Sequence, residues 1–126
     1  MTARSPTRHT VGEVEAAVCN LMSRFHRDLH GRGPQAVTVT IRGRSCLVHL
    51  EGVLTPAELH LTAAGAMQSH GVAMVRQMRN HLVQLARKAL VDMLQNTVDR
   101  PICSILHDIS PQADEEVFVF SMLNRE

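Results

Sequence analysis

Residues 36–51 read AVTVTIRGRSCLVHLE, and this stretch decides the fold class. Val37, Val39 and Ile41 alternate with Thr38, Thr40 and Arg42, a period of two that marks a strand with one apolar face. Gly43-Arg44 forms a tight turn, and residues 45–51 return as a second strand. A β-hairpin therefore sits near the start of the chain, and the flanking segments must supply what covers it.

On the N-terminal side, Val11, Val14, Val18, Leu21, Met22, Phe25 and Leu29 recur at helical spacing. Thr10 is suited to cap that helix, with Glu13 three residues on completing a capping box. Gly31-Arg32-Gly33-Pro34 ends it, because glycine takes the left-handed cap and proline blocks continuation. Residues 1–9 read as a flexible polar arm, and residues 10–126 as a single α+β domain.

On the C-terminal side, Thr55-Pro56 opens a short helix with Glu58 at its third position, ending near Gly65. The spacing predicts a long helix over about 67–96, with Met67, Gly71, Met74, Met78, Leu82, Leu85, Ala89 and Met93 as its core stripe. Residues 102–107 form a further extended segment, residues 111–114 a turn, and residues 116–122 the last strand. That last strand is apolar on both sides, with Val117 and Val119 on one and Phe118, Phe120 and Met122 on the other. Its second face needs cover, from the N-terminal helix or from a second subunit. The order α-β-β-α-α-β-β implies an α+β two-layer sandwich, an antiparallel sheet of about four strands with helices packed on it.

The 126 residues, 44% apolar and 20% charged, have ordinary globular composition. No apolar run reaches the roughly 20 residues of a membrane span, so no direct membrane insertion is expected. The N-terminus lacks the apolar core of a secretory signal, and the three cysteines (Cys19, Cys46 and Cys103) form no CxxC pattern. Together these features place the protein in the cytoplasm. The net charge is +1, and the basic residues form no dense stripe, so a nucleic-acid partner is not expected.

Twelve of the thirteen basic residues are arginine. A GC-rich coding sequence accounts for that, and bidentate anion recognition is the sharper reading. Arg76, Arg79, Asn80 and Arg87 share one face of the long helix, either a solvated face or an anion or partner site. Arg32, Arg76, Arg79, Arg87, His107 and Asp108 form the candidate ligand-binding set. The plainer reading of His107-Asp108 is a polar hairpin whose carboxylates bond turn amides. His26 and His30 have the i,i+4 spacing at which two imidazoles can share a metal, but a pair supplies two ligands only. No metal, cofactor or catalytic residue is therefore assigned. Leu59, Leu61, Met67, Phe118, Phe120 and Met122 are the candidate interface residues.

Four stretches, Gly31-Arg32-Gly33-Pro34, Glu51 through Pro56, His107 through Pro111, and Asp114 through Phe120, together resemble the MpsC-like, or YbcI-like, family over roughly residues 10–123. The resemblance implies a cytoplasmic accessory or regulatory protein beside a membrane system that couples cation movement to uptake of dissolved inorganic carbon. It implies no catalytic residues. A homodimer, with a membrane transporter subunit as a further partner, fits this reading. A small-anion or metal-binding sensor is the alternative, and a small enzyme built on His107 and nearby carboxylates ranks last.

Overall fold

The computed structural model describes residues 9–63 and 68–124. Helix α1, Val11–His30, starts at the Thr10 capping box and ends at Gly31, whose φ of 85° only glycine adopts without strain. Strands β1, Ala36–Arg42, and β2, Ser45–Glu51, form the hairpin. Helix α2, Pro56–Thr62, is capped by Thr55 with Glu58 completing a second capping box. Gly65, where the sequence ends this helix, lies outside the described residues, as do residues 1–8 of the arm. Helices α3, Gln68–Leu85, and α4, Arg87–Val98, are followed by β3, Ile102–Ser110, a 3-10 turn over Pro111–Ala113, and β4, Glu115–Met122.

The fold is α+β, a four-stranded antiparallel sheet in the order β1-β2-β4-β3 with helices against it. The last strand thus enters the middle of the sheet, between β2 and β3. Its alternation is clean: Glu116, Phe118, Phe120 and Met122 point under the helices and are buried. They meet Val48 and Leu50 from β2, Val18 and Met22 from α1, and Leu90 and Leu94 from α4 in one core. At the edge of the sheet, Glu15 of α1 accepts the Ile41 amide of β1 at 2.8 Å, which satisfies one edge donor from within the chain.

Three expectations are corrected. The long helix divides at Ala86, where φ −92° and ψ 4° bend the chain while the backbone bonds from Ala86 to Leu82 and from Leu90 to Ala86 persist. The bend lets α3 lie along β3 and α4 turn to α1. The core face of α3 and α4 is Gly71, Val75, Arg79, Val83, Leu90, Leu94 and Val98, not the methionine stripe. Met74, Met78, Leu85 and Met93 are exposed. Gly71 is on the inward arc because α2 crosses it: a side chain there would collide with the Leu61 carbonyl. Finally, α1 packs on the same side of the sheet as α3 and α4, so it does not cover the second face. That face carries Thr40, Leu47, Val119 and Leu106 in one row across the four strands, with Leu47 42% and Leu106 66% exposed.

Candidate functional site

A carboxylate on the buried side of a strand must be matched by donors, because an unpaired buried charge is costly. Glu116 has the same parity as Phe118 and Phe120 and is 1% exposed. Its partners come from α1, α3 and β3. Arg79, on the inward arc of α3, is completely buried. Its Nε and Nη2 each donate to one oxygen of Glu58 at 2.8 Å, a bidentate fork. Nη2 also donates to the Val53 carbonyl. Nη1 lies 3.3 Å from Glu116 Oε1 and 3.3 Å from His26 Nε2. The other oxygen of Glu116 is 2.5 Å from His107 Nε2, and His107 Nδ1 donates to Asn80 Oδ1 at 2.7 Å.

Local structure aims each of these groups. Glu58 is the third residue of α2, where its Oε1 also accepts the Thr55 amide at 2.8 Å, so the helix cap fixes the carboxylate that holds Arg79. Asp114, at φ 53°, accepts the amides of Val53 and Leu54 at 2.8 and 2.9 Å, which orients the loop presenting the Val53 carbonyl. Asn80 donates to the Arg76 carbonyl at 3.0 Å, leaving its oxygen for His107. His26 Nδ1 donates to the Arg32 carbonyl at 2.8 Å, which turns its Nε2 toward Glu116 and Arg79.

Burial alone raises the carboxyl of Glu116. Hydrogen bonds from His107 and His26, with the charges of His107 and Arg79, outweigh it and bring the pKa down to about 2. Glu58 follows the same logic: burial raises it, and bonds from Arg79 and Thr55 hold it below the ordinary value. Half-buried His30 is pushed down to about 4 by burial and by the charges of Arg79 and His26, so it is neutral at pH 7. Cys46 lies in the core, where burial and the charge of Glu15 push its thiol up to about 12, and it keeps its proton.

A second polar feature lies at the surface. A cleft of about 350 Å³ at the 3-10 turn is lined by His49, Arg76, Asp108, Ser110, Gln112 and Glu115, among others. Arg76 and Asp108 pair at 2.7 Å with half of each side chain exposed, and His49 pairs with Glu115 at 3.0 Å. The bond from Arg76 holds Asp108 below its ordinary value.

The sequence-derived ligand set does not form one site. Arg79 and His107 belong to the buried network; Arg76 and Asp108 belong to the surface cleft. Arg87 is exposed at the start of α4, beside a shallow depression that includes Asn80 and His107. Arg32 contributes its backbone carbonyl. Leu59 and Leu61 are exposed on α2, and Met67 lies outside the described residues. Phe118, Phe120 and Met122 are corrected from interface to core, since helices of the same chain bury them to 2% exposure or less. His26, Glu58, Asn80 and Glu116 complete the network and were not in the sequence-derived ligand set. The available signal was Glu116 itself, an acid in phase with three core side chains.

The four stretches that carried the family resemblance meet in this network through the Arg32 carbonyl, Val53, His107, Asp114 and Glu116. A family model described as "Na+-translocating membrane potential-generating system (MpsC)" matches residues 10–124. The chain is 27% identical over 113 residues to "Uncharacterized protein YbcI" of Bacillus subtilis (strain 168), a span covering 90% of this chain and 88% of that one. No solved structure matches.

Proposed function

The chain belongs to the MpsC family, and from that premise we propose that it is a non-enzymatic accessory component of a cation-translocating membrane system, acting through protein contacts. The specific system is the cation-coupled uptake of dissolved inorganic carbon that the resemblance implied. No helix among the described residues is long and apolar enough to cross a membrane, so the translocation step is assigned to a partner.

The observation that carries this reading is the open face of the sheet. The row Thr40, Leu47, Val119 and Leu106 has no covering element among the described residues. Leu47 and Leu106, exposed on either side of Val119, make an apolar strip on this uncovered face, and such strips mark contact sites. One end of the face carries Arg42, and the other carries Glu51 and Glu115. A second copy turned end for end would set basic over acidic ends and leucine over leucine, so the face supports a homodimer. The partner in the membrane would then meet the dimer at its helices, where Leu59 and Leu61 are exposed.

Sodium-dependent bicarbonate uptake in cells lacking the chain tests the function. Uptake is expected to fall on deletion, to return with the wild-type chain, and to stay low with a folded Leu106→Lys chain. Uptake unchanged by deletion contradicts the proposal. Light scattering with refractive-index detection, suited to a chain without Trp or Tyr, reads the dimer. A monomer at every concentration removes the second copy from the open face.

A further inference from the structure

We propose that His26, His30 and Glu116 form a binding site for one divalent transition ion of the zinc class. One ligand atom from each residue lies within 4.8 Å of the other two. His26 and His30 stand one turn apart on α1, with ring centroids 4.6 Å apart. Glu116 arrives from β4, and its Oε1 is 3.4 Å from His26 Nε2. Two ligands around a tetrahedral ion with bonds of about 2.0–2.1 Å are separated by about 3.4 Å, so this pair is already at the working distance. His30 closes the remaining gap by a side-chain adjustment at its half-exposed position.

The surroundings are those of a metal ligand set. His26 donates its other ring nitrogen to the Arg32 carbonyl, which fixes the tautomer and aims Nε2 inward. Glu116 keeps its second oxygen on His107, which orients the carboxylate. Two imidazoles and one carboxylate suit zinc, and the open side of His30 leaves a fourth position for water. Arg79 is the competing cation, because its Nη1 contacts both His26 Nε2 and Glu116 Oε1. The bonds to Glu58 and the Val53 carbonyl fix the planar guanidinium, so Nη1 stays in place and the ion is taken on the His30 side of the His26–Glu116 pair. The site stands independently of the accessory reading.

The full chain, stripped with a chelator, is titrated with Zn²⁺ against a chromophoric competitor and with Co²⁺ as a spectroscopic probe. One ion per chain is expected, with the visible bands of four-coordinate cobalt and a rise in Tm on zinc addition. His30→Ala, a half-exposed change, is expected to weaken zinc binding about tenfold or more and to abolish the Tm rise. His81→Ala, exposed on α3, serves as the control and leaves both unchanged. If the wild-type chain retains no zinc, Arg79 is the permanent cation of the cluster and the proposal is overturned. Equal zinc affinity in the wild type and His30→Ala overturns it too, by placing the ion on other histidines.

Discussion

Arg76 and Arg79 stand three residues apart on one helix, and each meets a carboxylate. Arg76 reaches Asp108 at 2.7 Å with both side chains half exposed. Arg79 reaches Glu58 at 2.8 Å with both buried. Their bond lengths are nearly the same and their consequences are not. Water competes for the first pair and screens it, so it contributes roughly 0–1 kcal/mol. The second pair has left water, and its members depend on each other because no solvent remains to take up either charge. A salt bridge is therefore judged by what surrounds it rather than by its length.

The comparison breaks most visibly at Arg79. Arg79→Met keeps the volume and removes the charge, leaving Glu58 and Glu116 buried without their guanidinium. Urea unfolding is expected to show a loss of about 3–5 kcal/mol. Acid comes next. The Glu116 pKa falls from 4.5 to about 2 on folding, so the unfolded chain takes up that proton first. The stability linked to Glu116 is complete above pH 4.5 and is lost as pH falls toward 2, on the order of 3 kcal/mol in total. His30 adds to the same slope at higher pH, since its folded pKa of about 4 lies below the ordinary 6.5. Stability is thus expected to decline from about pH 6.5 downward, and Glu116→Gln to flatten the part below 4.5. A Glu116→Gln profile parallel to wild type below pH 4.5 assigns the acid sensitivity to other groups.

Smaller changes sharpen the contrast. Thr55→Ala removes the hydroxyl that caps α2 and steadies Glu58, and a loss of about 1 kcal/mol is expected by thermal unfolding. Arg76→Ala should cost less than about 1 kcal/mol, with the difference vanishing in high salt. A loss at Arg76 matching that at Arg79 would show that exposure does not separate the two pairs.

Much of the fold was legible in the sequence because it is written in local chemistry. The two capping boxes at Thr10 and Thr55, the Gly31 cap, the alternation of Val37, Val39 and Ile41, and the Gly43-Arg44 turn are all short-range signals. The helical stripe was misread because α3 carries two apolar arcs. Met74, Met78 and Leu85 form the more hydrophobic arc, yet the sheet selects the one bearing Gly71, Val75 and Val83, where α2 can cross closely and Arg79 can reach Glu116. Helical periodicity finds the greasier face, and a buried arginine runs against it. The network was less legible still, since Glu58, Arg79 and Glu116 are separated by 21 and 37 residues. Only the strand parity of Glu116 and of His107, each in phase with buried neighbours, hinted at a polar core.

A double-mutant cycle tests the central claim most directly, that burial makes the Arg79 network the polar anchor of the fold. Urea unfolding is measured for Arg79→Met, Glu58→Gln and the double variant, and in parallel for Arg76→Ala, Asp108→Asn and their double. Coupling of about 2–3 kcal/mol is expected for the buried pair and below about 0.5 kcal/mol for the exposed pair. Equal couplings, or none at Arg79 and Glu58, would contradict the account.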